Sequence, residues 1–537
     1  MLRVIAVVGA VLACAAFPSS GLGRSASTLC VGGKTGCYAT VQAALDAAHD
    51  GDTIAVAAGT FAGGITITKS ITLIGAGAKS TVLSGGGPVV TIGSWLAPSP
   101  PTVTLSGLTI TDGLSTSSPQ SQDWVGADNV IATGGGVEIF PSEDYGTGAT
   151  VSIRDSVISG NRVAPTATLP IGPACPGGPC SFAWAKGGGI DDWGRLTLAN
   201  TVVSDNTAAG LASDANGGGI NVWWTGTLAL HQSAVDGNKA LATVPNGRYA
   251  EGGGIFTDPG TQLTIDGGEL NENVASLTST LPYQLPGGDT IDMNANGGAV
   301  HAGDGTAIAI DGVTFKHNVL SVNDTNGRPY AFDAALHPGS GPLSIRDSVI
   351  DGSSVTLDVQ STDGVGPSGS AVDINGPATV ADTRITGTTT VVTSHSGTAA
   401  GSGAVYTGDA GSDPIVISNT QISGNTVTAT SSGGATEILG AGITNDGLLV
   451  LRNDLVAGNV GTANGSTGFA RGGGIWNGHL FNGGAIQLTL DGTAVLRNAL
   501  AGDAGVLLQG GGLYTDLPVT TTNSQIARNS PDDCVGC

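Results

Sequence analysis

The chain has 537 residues, of which 40% are hydrophobic and only 11% charged, a balance that excludes a disordered polymer. Its net charge of −23 excludes direct binding of nucleic acid or an anionic membrane surface, and disfavours any polyanion unless a cation such as Ca2+ bridges. Aromatics make up 4%, which leaves the core to Val, Ile, Leu and Ala, while 89 glycines and 24 prolines point to many turns.

Residues 1–16, MLRVIAVVGAVLACAA, join a basic start to an apolar run and small residues, the layout of a secretory signal peptide cleaved after Ala15 or Ala16. Cys14 in VLAC offers a second reading, a lipid anchor, against which Leu12 is large for its place. No other apolar run has membrane-spanning length, and no wall-sorting signal or membrane barrel is expected at the C-terminus. Residues 17–37 form a lead-in. Six further cysteines fall into local pairs, and in an exported chain each pair is expected to be a small disulfide loop: Cys30 with Cys37, Cys175 with Cys180, Cys534 with Cys537. No zinc spacing accompanies them, so no cysteine metal site is expected.

From Val41 to Asp50 the pattern predicts a helix, with Val41, Ala44, Leu45 and Ala48 on one face. Short strand-like runs follow it: TIAV, ITIT, ITLIG, TVLSG, VVTIG, VTLSG and LTITDG. Strands stacked at an open end need a cover, so the helix is expected to cap the N-terminal end and the tail NSPDDCVGC the other.

Beyond residue 130 a repeat dominates. One or more glycines or small residues precede an aliphatic residue, as in GGGVEIF, GGGIDDW, GGGINVW, GGGIFTD, GGAVHAG and DAALHPG. The aliphatic markers are Val137, Ile190, Ile220, Ile255, Val300, Leu336, Val372, Val405, Ile443, Ile475 and Leu513, spaced by about 35 residues with longer excursions. The largest excursion places an insertion loop near 162–186. After each marker come two strand-like pieces separated by a turn residue, and many of these runs end in Asn: Asn161, Asn206, Asn238, Asn273, Asn318, Asn425, Asn459, Asn498 and Asn529. Ser353 and Thr388 take the corresponding places in two middle coils.

Three short strands per unit without a helical crossover predict an all-β fold: a single right-handed parallel β-helix over residues 38–537, of about a dozen coils, with one capping helix. Equivalent residues then stack about 4.8 Å apart, the markers as internal ladders and the asparagines as a turn ladder bonded along the stack.

The stretch TVQAALDAAHDGDTIAVAAGTF, followed by ITITKSITLIGAG, resembles the start of pectin-lyase-like β-helix proteins. The GGGI and SGN repeats are similar to those of bacterial extracellular β-helix proteins, including polymorphic outer-membrane adhesins. The resemblance implies a fold shared by pectate lyases, polygalacturonases, esterases, tailspikes and adhesins, so it does not select an activity. A polygalacturonase would carry Asn-Thr-Asp, paired Asp, Gly-His-Gly and Arg-x-Lys motifs, and only Asp191-Asp192 is present. The arginines of RDSVI, Arg154 and Arg346, repeat with the coil and read as structural.

If each marker points inward, the next residue points outward. That column reads Glu138, Asp191, Asn221, Phe256, His301, His337, Asp373, Tyr406, Thr444, Trp476 and Tyr514. Two patches stand out. Glu138, Asp191 and Asn221 beside Phe140, Trp193 and Trp223 suit carbohydrate, with sugar faces on rings and hydroxyls on carboxylates. His301, His337 and Asp373 on consecutive coils suit a shared metal or a general base oriented by Asp373. The weaker catalytic candidates are therefore Asp191, Asp192, His301, His337 and Asp373. The first expectation is a secreted or cell-surface protein, a monomer, that binds extracellular polysaccharide or a surface glycan through an exposed aromatic and carboxylate face, with no cofactor or at most Ca2+. The alternative is a lyase or hydrolase of acidic polysaccharide, and a purely structural rod is the third reading.

Overall fold

The computed structural model describes residues 25–118, 130–166, 183–210, 214–243, 248–279, 293–324, 329–360, 364–408, 411–480 and 485–537. The signal segment 1–16 with Cys14, the Cys175–Cys180 pair and most of the 162–186 insertion lie outside the described residues.

The glycine-flanked markers stack in one parallel register. Val137 pairs with Ile190, and the ladder runs on through Ile220, Ile255, Val300 and Leu336. It continues through Val372, Val405, Ile443, Ile475 and Leu513. All eleven are buried, at 0–1% exposure, because every second residue of a strand faces the interior. Among the described residues this marker sheet has fourteen strands. Ile65–Ile67 and Val90–Ile92 extend it at one end, and Cys534–Val535 at the other. Among the described residues, parallel sheets of 26, 11, 6 and 5 strands form the remaining walls and one short α-helix is present, so the chain is an all-β parallel solenoid.

The predicted three strands per coil are subdivided into five segments in the fullest coils. After Ile190–Asp192 come Arg195–Ala199, Val202–Ser204, Thr207–Gly210 and Asp214–Asn216. Two left-handed residues make the additional bends, Asn200 at φ 48° and Asp205 at φ 55°. Asn, Asp and Gly tolerate that conformation best, and the same two bends recur as Asp155 with Gly160 and as Asn453 with Gly458.

After the second bend lies the asparagine ladder. Each amide donates one N–H to the next Asn along the stack: Asn161 to Asn206 at 3.0 Å, Asn206 to Asn238 at 3.0 Å, Asn238 to Asn273 at 3.1 Å and Asn273 to Asn318 at 3.1 Å. A second run links Asn425, Asn459, Asn498 and Asn529. Within a run the other N–H goes to a backbone carbonyl, as from Asn206 to Ile158, and each Oδ1 also accepts a backbone N–H, as at Asn206 from Asn161. With its hydrogen-bonding capacity met, the amide survives burial. Between the runs stand Ser353 and Thr388, whose buried hydroxyls have no partner.

The ladder also explains the glycines. A Cβ on Gly136 would lie 2.8 Å from the Asn161 amide nitrogen, and one on Gly189 2.9 Å from that of Asn206. The third glycine of the triplet thus leaves room for the asparagine beneath it.

The helix spans Val41–Ala47, with Thr40 accepting from the Ala43 amide as its N-cap and with Val41, Ala44 and Leu45 buried. It stops short of the predicted Asp50. The buried Asp52 carboxylate takes the amides of His49 and Ser27 and pulls the chain out of the helix. Lys69 closes the C-terminal end by donating to the carbonyls of Leu45, Asp46 and Ala48. The C-terminal tail adds the last strand of the marker sheet, with Cys534 beside Leu513 and Val535 beside Tyr514. Thr520, Thr521 and Thr522 stay exposed. The Cys30–Cys37 and Cys534–Cys537 disulfides are formed. Among the described residues no helix is long and apolar enough to cross a membrane.

Candidate functional site

The glycine triplet carries the chain from the six-stranded sheet into the marker sheet. The residue just before the triplet and the residue just after the marker therefore face a common groove. The second group is the predicted outward column, whose register holds from Glu138 through Asp191, Asn221, Phe256 and His301 to His337. The first group, not anticipated from sequence, is Thr133, Lys186, Asn216, Glu251 and Asn296, also in register. Its signal was available: in each of these coils the residue preceding the glycines is polar, although it adjoins buried strands. Lys186 joins the two columns, its Nζ 4.1 Å from the Trp223 ring centre and 5.0 Å from that of Phe256.

The predicted exposed aromatic row is instead a packed cluster. Trp193 is 0% and Trp223 3% exposed, and the two rings stack 4.5 Å apart. Trp95 meets both Phe140 and Trp193 edge-on, Tyr145 leans on Trp193, and Trp224 closes on both tryptophans. The coverage comes from Trp95 and Tyr145, which lie outside the repeat and carried no register signal. Trp223 still serves the groove through its edge: its Nε1 donates to Asp191 at 2.9 Å, and Asn221 donates to the same carboxylate at 2.7 Å.

Burial separates the two carboxylates of this patch. Glu138 is pushed well above the usual carboxylate range, first by burial and then by the Asp191 charge. Its carboxyl sits beside Thr133 and Asp191. Burial also raises Asp191, to about 7, but the Trp223 and Asn221 donors and the Lys186 charge hold it back. Asp191 is thus the better anion of the pair and Glu138 the proton holder. Asp192 is not part of the groove. It shares the inward face of Ile190, burial raises it to about 8, and it accepts from the Gly194 amide at 2.8 Å. The strand alternation that turns Asp191 to the groove side turns Asp192 to the interior, and both are buried.

The histidine patch is enclosed. His301 lies between Phe256 at 5.1 Å and His337 at 4.9 Å, all three rings nearly parallel. Burial, then His337 and Lys186, keep His301 well below its ordinary value, so it is neutral. Burial acts the same way on His337, but Asp333, Asp373 and Glu251 outweigh it and hold it up at about 9. Its Nδ1 is 2.7 Å from Asp333 and 3.7 Å from Asp373. Asp333 was missed in the sequence. It stands in the coil DAALH where the preceding coil GGAVH has its first glycine, Gly297, and the pairing with the next coil slips between Asp333 and Leu336. A carboxylate replacing a repeated glycine was the available signal.

Between the patches lies a cleft of about 240 Å³, lined by Trp184, Lys186, Asp214, Asn216, Trp223, Tyr249 and Glu251. Half-buried Glu251 accepts from Asn216 at 2.9 Å and from Asn296 at 3.3 Å. Burial raises it to about 7, Asp214 adds to the rise, and His337 and Lys186 oppose it. A larger hollow of about 430 Å³ on the 26-stranded sheet is lined by His231, Asp266, Asp311 and Arg346. Those four side chains are exposed, so that hollow offers solvated charges instead of a tuned site.

No protein-family model and no curated protein matches this sequence. Solved structures do align with it. One is the Azotobacter vinelandii mannuronan C-5 epimerase AlgE6 A-module, at 13% identity over 92% of this chain and 95% of that chain, with TM-score 0.28. Another is a mannuronic acid specific polysaccharide family 6 lyase from human gut microbiota, at 13% identity, 84% and 82% coverage and TM-score 0.28. A third is the Agl-KA catalytic domain, at 12% identity, 90% and 64% coverage and TM-score 0.27. At these scores the alignments carry no argument about activity, and the architecture rests on the strand ladders above.

Proposed function

We propose that this protein is an enzyme that cleaves extracellular polysaccharide by acid–base chemistry in the groove between the two columns. One observation carries the reading: Glu251, partly open to the cleft, titrates near neutrality between two orienting asparagines and beside a lysine. A carboxylate poised there can give or take a proton at physiological pH, and such perturbed groups cluster where chemistry is done. Trp184, Tyr249 and the edge of Trp223 supply walls on which sugar C–H faces can rest. Lys186 supplies positive charge where a sugar oxygen becomes anionic. The two formed disulfides support action in an oxidising, extracytoplasmic compartment.

The reading replaces the first expectation of a binding stripe, because Trp193 and Trp223 do not present open ring faces. The experiment is a panel of neutral and acidic polysaccharides, scored for new reducing ends and for unsaturated ends. Turnover of one substrate is expected, lowered at least about 100-fold in Glu251→Gln with KM little changed. Undiminished turnover in that variant removes Glu251 from the chemistry. Saturable glycan binding by the intact chain without turnover returns the binding-protein reading.

A further inference from the structure

We propose that Asp333, His337 and Asp373 form a binding site for one divalent transition-metal cation of the zinc or manganese class. The site is independent of the polysaccharide reading.

One donor atom from each residue lies within 4.8 Å of the other two. The imidazole Nδ1 faces both carboxylates, at 2.7 Å and 3.7 Å. In a tetrahedral site with metal–ligand distances of about 2.0–2.1 Å, two ligand atoms lie about 3.3–3.4 Å apart. The two distances from Nδ1 bracket that value, and with the third pair also within 4.8 Å, side-chain adjustment alone converts the triad into three ligands. The cation takes the place of the proton that Nδ1 shares with Asp333, and two carboxylates balance its two positive charges.

The surroundings are built for orientation. Ser370 Oγ donates to the Asp333 carboxylate, and Asn375 donates to Asp373 Oδ1 at 2.8 Å. Such outer contacts fix ligating carboxylates in metal sites. Asp373 Oδ2 lies 3.7 Å from His337 Nδ1, in a side chain only 4% exposed. The ring of His337 is held by stacking on His301. Three protein ligands leave a fourth position open, and His337 is the one partly exposed member. One imidazole among the donors selects zinc or manganese over calcium and magnesium, which prefer oxygen alone.

The test is calorimetric titration of the chelator-stripped full chain with ZnCl2 and MnCl2, with CaCl2 and MgCl2 for comparison. Uptake of one equivalent of zinc or manganese is expected, with a rise in melting temperature. Asp373→Asn and His337→Ala should each weaken it at least about 100-fold. His395→Ala, which removes a surface histidine bonded to Asp358 at 2.7 Å, should leave it unchanged. Asp373→Asn keeps size and shape, so its uptake remains readable if His337→Ala folds poorly. The proposal fails if the intact chain shows no saturable uptake of zinc or manganese, if only calcium binds, or if uptake persists undiminished in Asp373→Asn.

Discussion

Glu251 and Asp191 are the residues whose charge state the groove controls. With Glu251 near 7, a step that uses its anion gains rate as pH rises through that value, and a step that uses its acid form loses rate. A kcat/KM profile with one limb breaking near pH 7, and that limb flattened in residual Glu251→Gln activity, is the expected result. For Asp191, the Trp223 indole stabilises the anion specifically. Trp223→Phe keeps most of the ring and removes the donor. It should raise Asp191 further and cost about 1–3 kcal/mol, since the bond is charge-assisted and buried. The cost should be larger at pH 8 than at pH 5 in parallel melts, because only the ionised carboxylate loses a partner. A cost equal at both values would show that the indole acts by packing alone. Asp191, His301, His337 and Asp373 were legible in the sequence because strand alternation fixes their facing. Lys186 and Glu251 were not, because the in–out pattern was followed only after the marker and not across the glycines.

At the scale of the element, the asparagine ladder and the glycine triplet act as one unit. Asn238 accepts both the backbone and side-chain N–H of Asn206 and donates to Val203 and Asn273. Asn238→Ala would leave two buried donors of Asn206 without an acceptor. At about 1–3 kcal/mol each, a loss of about 3 kcal/mol in denaturant unfolding is expected, with the coil register intact. A loss under about 1 kcal/mol would mean that water or relaxation replaces the ladder. The ladder itself was readable from the repeated Asn after each marker. The two left-handed bends that cut the coil into five segments were less so, since Asn, Asp, Gly and even Arg497 occupy them. The helix end was misplaced for a tertiary reason, the Asp52 carboxylate that binds His49 and Ser27.

For the whole molecule, buried carboxylates set the pH dependence of stability. Asp192 is raised to about 8, and Asp191, Glu251 and Asp454 each to about 7, mainly by burial. Their unfolded values lie near 4, so between about pH 4 and 8 the folded state holds more protons than the unfolded one. Stability therefore falls as pH rises through that window. Neutral, buried His301 opposes this below about pH 6.5, where the unfolded imidazole charges, but it is outnumbered by these carboxylates together with Asp373, raised to about 8. Melting temperature should rise from pH 8 to pH 6. A flat or opposite trend would contradict the assigned protonation of the groove.

Sequence by itself determined the solenoid, its register and the facing of one strand per coil, because a structural repeat states the same local geometry many times. It also named the two patches, since stacking turns a sequence period into a spatial column. Only the tertiary structure decided what those patches are. Trp95 and Tyr145 reach the first from outside the repeat and bury its aromatic row. The column before the glycines enters the groove from a neighbouring sheet, and Asp373 reaches His337 from the next coil. Each of these depends on how separate walls meet, and a pattern read along one strand carries no information about the wall beside it.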